Sequence, residues 1–171
     1  MRIERQTSSL SSQSVERSGG QTQPVIRPAV LADLPACAAI INDYIDATDW
    51  LPRVKSRDEL AGFFTPELLA SRTVLVAEVD GEVEAYVSVS PEGFVFALYL
   101  APQARGRGVG KLLLDRVKAL HPDRVELTVF EPNVAAVRFY EREDFAEVPE
   151  GRKEDTDEGI PVLLMRWNGS A

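Results

Sequence analysis

The sequence is short of the residues from which many catalytic centres are built. It holds one cysteine, Cys37, and one histidine, His121, in 171 residues. A lone thiol excludes an intrachain disulfide framework and any zinc site made of several thiolates. A lone imidazole argues against a multi-histidine metal centre or a histidine-based triad, so no metal site is expected. Positive charge is also scarce: 19 Lys and Arg stand against 27 Asp and Glu, a net charge of −8. General nucleic-acid binding needs a basic face that displaces counterions, and is not expected. No long apolar run is present. The longest, Phe94 to Ala101, falls well below the roughly 18 residues of a membrane span, so no membrane partner is expected.

What remains is an ordinary globular composition, 44% hydrophobic and 27% charged, which excludes collagen-like, mucin-like and wholly disordered chains. The single cysteine and the absence of a secretion signal point to the cytoplasm. Residues 1–23 are rich in Ser, Gln, Thr and Gly. They bury too little to offset ordering entropy and are expected to form a flexible tail. Residues 24–171 form the folded domain.

Strand and helix patterns then alternate. Val25 to Arg27 reads as a strand. Asp33 stands at an N-cap position, ahead of helical spacing at Leu34, Ala38, Ile41 and Ile45. Ser56 caps a second helix, and Pro66 interrupts that helix or starts a further turn. Thr73–Val79 and Glu82–Ser90 are strands joined by the Asp80-Gly81 turn. Phe94–Leu100 reads as a central strand buried on both faces. Gly106–Leu120 is helical, with Val109, Leu112, Leu113, Val117 and Leu120 on one stripe. Arg124–Phe130 alternates, Asn133 caps a helix to about Glu143, and Phe145–Val148 and Val162–Trp167 close the sheet. Glu150–Gly159 is a charged loop. The class is mixed α/β (α+β).

The most informative stretch runs Leu98-Tyr-Leu-Ala-Pro-Gln103-Ala-Arg105-Gly106-Arg107-Gly108-Val-Gly110-Lys111. An apolar strand enters a glycine-rich turn that opens a helix. Free amides at a helix start carry partial positive charge, and glycines let that backbone approach an anion closely. Arg105, Arg107 and Lys111 concentrate cations there in an otherwise acidic chain, which suits a phosphate. A tight connection alone would also account for the glycines. The spelling departs from G-x-G-x-x-G, because position 111 is Lys, and from a Walker A loop, because Leu112 follows Gly110-Lys111.

Gln103-x-x-Gly106-x-Gly108 resembles the Q/R-x-x-G-x-G/A signature of the GNAT superfamily of N-acetyltransferases. A second stretch, Asn133 through Phe139-Tyr140-Glu-Arg-Glu-Asp144-Phe145, resembles the family's Asn followed by a helix ending in F-Y-x-x-x-G-F. Asp144 stands where glycine is usual, at a left-handed helix terminus that Asp tolerates at modest cost. The resemblance spans Val25 to Trp167. It implies a central mixed sheet of about seven strands flanked by about four helices, and acetyl-CoA as cofactor.

It further implies that the backbone of Arg105, Gly106, Arg107, Gly108, Val109, Gly110 and Lys111 holds the pyrophosphate. Leu98, Tyr99 and Leu100 would pair with the pantetheine arm. The strand Val125 to Phe130 would splay away to open a cleft, Asn133 would contact pantetheine, and Tyr140 would protonate the departing thiolate. A strand amide, that of Leu100, can donate to the thioester oxygen. A phenol with an ordinary pKa of about 10 is protonated at pH 7 and can serve as the acid. Direct transfer needs no Cys or Ser nucleophile, only positioning. Phe139 and Tyr140 could instead be plain core aromatics.

On the acceptor side, Tyr44, Asp46 and Trp50 could attract a cationic amine, or form a solvated helix end. Arg53 could bind an acceptor carboxylate. Glu84, Glu92 and Glu131 are the candidate general bases, with Glu131 nearest the expected centre in sequence. The resulting expectation is an acetyl-CoA-dependent N-acetyltransferase acting on a primary amine of a small molecule or peptide. The alternative is a catalytically silent CoA-binding sensor or interaction module. A homodimer would be in keeping with the resemblance.

Overall fold

Residues 22–169 are described by a computed structural model, so the expected tail lies outside the described residues except at its last two positions. Seven strands form one sheet in the order β1-β2-β3-β4-β5-β7-β6. They are β1 (Val25–Pro28), β2 (Thr73–Val79), β3 (Glu82–Val89), β4 (Phe94–Leu100), β5 (Arg124–Phe130), β6 (Ala146–Glu147) and β7 (Val162–Asn168). Five helices, one more than expected, accompany them: α1 (Leu34–Asp46), α2 (Arg57–Ala61), α3 (Pro66–Ser71), α4 (Val109–Leu120) and α5 (Val134–Arg142).

Every neighbouring pair is antiparallel except β4 and β5, which run parallel. The α4 and α5 faces pack with Ala85, Val87, Val125 and Leu127 on one side of the sheet. On the other side, Cys37 and Ile40 of α1 pack on Val74, Val76 and Tyr86. Cys37 is fully buried, as its apolar helix position implies, and burial pushes its thiol up to about 12.

Local rules account for most boundaries. Ser56 accepts from the Glu59 amide and Glu59 reaches back to the Ser56 amide, a complete capping box for α2. The Asn133 side chain accepts from the Ala136 amide at 3.2 Å and starts α5. Asp144 takes φ 65° after α5, the left-handed position expected of it.

Four expectations need correction. Asp33 does not cap α1 with its side chain. Its carboxylate instead accepts from the Val30 amide and pairs with Arg27, which also holds Glu78. The long helix begins at Val109, because Gly106 and Gly108 take positive φ and cannot continue it. Its buried stripe is Val109, Gly110, Leu113, Leu114 and Val117, whereas Leu112 and Leu120 are exposed. Last, β4 is not buried on both faces: Phe96 is half exposed, and only Val95 is fully enclosed.

The last difference has a simple cause. β4 meets β5 through Phe94 with Glu126 and Val95 with Leu127, and the two strands then part. The junction is tight at its closed end, where the Glu126 amide donates to Gly93 O at 3.0 Å. Gly93 has φ +89°, and a Cβ there would stand 2.7 Å from Arg124 O. Gly81 also has positive φ, but open space around it. Gly93→Ala is therefore expected to cost clearly more than the ~1 kcal/mol of an unsuitable backbone conformation alone, and more than Gly81→Ala. Urea unfolding of the two variants measures the difference.

Candidate active site

The parting of β4 and β5 leaves a gap at the carboxyl end of β4, and the chain places its polar groups around it. The Ala101 amide donates to Glu84 O of β3 at 2.7 Å. Strand alternation then turns the Leu100 amide and carbonyl to the opposite edge, toward the gap. The Leu98 amide shares that edge. This is where an extended ligand could pair as an added strand, and where a single amide could polarise a carbonyl.

Just beyond, the chain turns through Gly106 at φ 70° and Gly108 at φ 77° into α4. The amides of Gly106 through Lys111 make no backbone hydrogen bond among the described residues, and Leu112 is the first to find a helical carbonyl, Gly108 O at 3.1 Å. A Cβ built on either Gly106 or Gly108 would meet nothing within 4 Å, so both face open space. Gly110 differs: it is buried, and a Cβ there would lie in ordinary contact with Phe139 and Leu100, at 3.5 and 3.7 Å. A run of free amides at a positive helix end, opening on unfilled space, fits a diphosphate.

The three expected cations are employed differently. Arg105 is exposed, reaches Leu100 O at 3.4 Å and lies 5.9 Å from the Tyr44 ring. Arg107 stands 3.6 Å from Glu84. Lys111 bonds Asp115 and Glu143, tying α4 to the end of α5, so its side chain is engaged elsewhere.

All four tyrosines of the chain gather at the gap or directly behind it. Tyr99 of β4 packs on Tyr44 of α1 with ring centroids 5.2 Å apart, and on Tyr86 of β3 at 6.0 Å. Asn133 donates to the Tyr44 hydroxyl at 3.0 Å, linking the start of α5 to α1 across the gap. Tyr140 is buried and packs edge-on against Phe139 and tilted against Phe145. It belongs to the core, as the plainer reading held. Burial, and then the neighbouring Tyr99 and Tyr44, hold it well above the ordinary phenol range. A phenol so shifted stays protonated throughout the physiological range.

On the α1 side of the gap lies a cleft of about 300 Å³. Its walls are Ile41, Ile45, Leu51 and Phe130, with Tyr99 toward the gap and Lys55, Asp157 and Glu158 contributing charge. Trp50 stands edge-on to Phe130 at 5.9 Å and supports that wall, half-buried.

Several expected acceptor residues turn out to have structural partners. All five N–H donors of Arg53 are taken, by Asp46, Asn42 and the carbonyls of Asn42 and Lys55. Arg53 thus fastens the 47–55 loop to α1 and has no donor left for an acceptor carboxylate. Asp46 is shared between Arg53 and Arg57. Both oxygens of Glu131 accept from Arg152, at 3.0 and 2.8 Å. Glu92 lies at the far end of β4, on the exposed turn before Gly93. Glu84 is the most enclosed of these carboxylates; its Oε2 is buried without a hydrogen bond and faces Arg107 at the glycine turn. Asp157 and Glu158 were hidden in what reads in sequence as a solvated charge run. Only the pairing of Lys153 with Val162, which folds that loop back onto β7, brings them to the cleft.

If the turn binds a diphosphate, Gly108→Ala is expected to raise the Kd for CoA at least tenfold. An alanine holds φ +77° only at a cost, and its methyl group enters the cradle. Isothermal calorimetry measures this, with circular dichroism showing an intact fold.

The sequence model of the Acetyltransferase (GNAT) family matches residues 38–145, more than half of the chain. The peptidyl-lysine N-acetyltransferase YiaC of Escherichia coli (strain K12) is 30% identical over 146 residues, covering 84% of this chain and 96% of that protein. The solution structure of apo-form YjaB from Escherichia coli superposes with a TM-score of 0.70 at 27% identity, over 86% of this chain and 99% of that one. The structure of yncA from Salmonella typhimurium, determined with its cofactor acetyl-CoA, superposes with a TM-score of 0.68 at 22% identity, over 88% and 96%.

Proposed function

The chain belongs to the acetyltransferase (GNAT) family and is an acetyl-CoA-dependent N-acetyltransferase, and on that footing we propose that its acceptor is the side-chain amine of lysine in a peptide or protein. The observation that carries this reading is the composition of the cleft. Its walls are aliphatic and aromatic and its charged lining is mostly acidic. A lysine side chain has the matching form, an apolar stem with a cationic tip. The YiaC relative, named for peptidyl-lysine, supports the same class of acceptor.

Acetyl-CoA supplies the activated acetyl group. The free amides from Gly106 to Lys111, with Arg105 and Arg107 beside them, hold its diphosphate. The open edge of β4 at Leu98 and Leu100 aligns the pantetheine arm with the gap. The Leu100 amide donates to the carbonyl oxygen as negative charge gathers there, a stabilisation worth a few kcal/mol where one donor is removed from such a site. Tyr140 gives its proton to the departing sulfur. Asn133 holds Tyr44 and thereby the α1 side of the gap. A catalytically silent role is not favoured, because the relatives are named as acetyltransferases. We place the enzyme in the cytoplasm, where the unlinked Cys37 stays reduced. Among the described residues no helix is long and apolar enough to cross a membrane.

Thiol release from acetyl-CoA with lysine-containing peptides tests the acceptor class. In that assay Tyr140→Phe is expected to lower kcat ~100-fold and leave the KM for acetyl-CoA unchanged, since only proton delivery is lost. Wild-type turnover by the variant would move the acid elsewhere.

A further inference from the structure

An alkylamine has an ordinary pKa of about 10.4, so a lysine acceptor arrives at neutral pH as an ammonium and must lose a proton before it can attack. The chain needs an acceptor for that proton, and the ion pairs around the gap narrow the choice. Asp43 and Asp46 are held by Arg57, Asp46 by Arg53 as well, and Glu131 by Arg152, while Glu84, its Oε2 buried and without a hydrogen bond, stands 3.6 Å from Arg107 and outside the lining of the cleft. Asp157 and Glu158 line the cleft with no cationic partner among the described residues.

Their turn is built to hold them there. The Thr156 hydroxyl donates to Ile160 O at 2.8 Å and accepts from the Ile160 amide at 3.1 Å. The Gly159 amide closes the turn on Thr156 O at 2.9 Å, with Gly159 at φ +66°. Lys153 and Val162 exchange both backbone hydrogen bonds at its base, at 3.0 and 2.8 Å. The two carboxylates occupy the middle of this fastened turn. Asp157 is exposed at the mouth and Glu158 is half-buried.

We propose that the Thr156–Ile160 turn is the acceptor-recognition element, in which Asp157 attracts the lysine ammonium at the mouth of the cleft and Glu158 takes its proton. This rests on the lysine reading above. In the step, one N–H bond of the ammonium breaks and its electron pair stays on nitrogen. The proton passes to the Glu158 carboxylate and from there to solvent. Burial, then Tyr44, then Glu158 push the Tyr99 hydroxyl up to about 12, so the Glu158 charge is felt at the floor of the cleft. The other charged or titratable groups facing Glu158 are Asp157 on its own turn, Lys55 from the 47–55 loop, and Tyr99 with Tyr44 behind it. Leu60 and Phe63, from α2 and its exit, and Phe130 of β5 add only apolar surface.

The test is thiol release by the full chain with acetyl-CoA and a lysine peptide, followed from about pH 6 to about pH 10. Glu158→Gln is expected to lower kcat/KM for the peptide ~100-fold at pH 7. That deficit should shrink toward pH ~10, where the acceptor amine sheds its proton unaided. Glu158→Asp should recover part of the rate. Asp157→Asn should raise the peptide KM and spare kcat, and the KM for acetyl-CoA should hold throughout, reporting an intact fold. A Glu158→Gln enzyme at the wild-type rate, or with the same deficit at every pH, overturns this assignment while the lysine reading stands. A wild-type enzyme that turns over no lysine peptide overturns both.

Discussion

Two rungs, Phe94 with Glu126 and Val95 with Leu127, join β4 to β5, and the rest of the site depends on the pairing stopping there. A parallel pair that continued to Leu100 would consume the amides and carbonyls of β4 in ladder hydrogen bonds. Because it stops, Leu100 keeps a free donor at the edge of a gap in an otherwise closed sheet. Unpaired backbone groups inside a fold are costly unless something meets them. A site of this kind is therefore incomplete without its ligand: it offers a strand edge and asks for a partner strand. In the GNAT family that partner is the pantetheine arm.

The two sides of the sheet then divide the work. The α4 and α5 side carries the glycine turn, proposed to hold the diphosphate, and Tyr140, proposed as the proton donor. The α1 side carries the acceptor cleft, with its wall fastened by Arg53 to Asp46 and Asn42. The gap lies between the two sides, where a group from each can meet. This explains why a chain with one histidine, one buried cysteine and no acidic metal cluster among its described residues still performs group transfer. The chemistry is borrowed from an activated thioester, and on the proposed reading the chain contributes alignment, one amide and two proton carriers.

The fold was largely readable because its signals are local. The Asp80-Gly81 turn, the capping box at Ser56 and the Asn133 cap each depend on neighbours within four residues. The glycine turn ahead of α4 was readable for the same reason, since Gly106 and Gly108 act through their own φ values. What could not be read depends on partners far along the chain. Nothing near Arg53 announces that Asn42 and Asp46 will take all its donors. Glu131 looks like a free carboxylate until Arg152, 21 residues on, meets it. Asp157 and Glu158 reach the cleft only because Lys153 pairs with Val162. The apolar run of β4 misled in a more instructive way. An apolar run reports what the faces of a strand meet, not whether a neighbouring strand pairs along its edge, and β4 leaves β5 after two rungs.

The closed end of the β4–β5 junction has a mechanical meaning. Leu100 stands five residues beyond Val95, the last paired residue, a reach of roughly 17 Å along an extended strand. Pivoting such an arm by a single degree displaces its tip by about 0.3 Å, a sizeable share of the tolerance within which an amide can serve a reacting carbonyl. The side chain that glycine lacks at position 93 lets the hinge of this lever close hard against Arg124. Because β3 pairs with β4 as far as Leu100, the arm is this two-stranded ladder, and stiffness at its closed end helps set the aim of the amide.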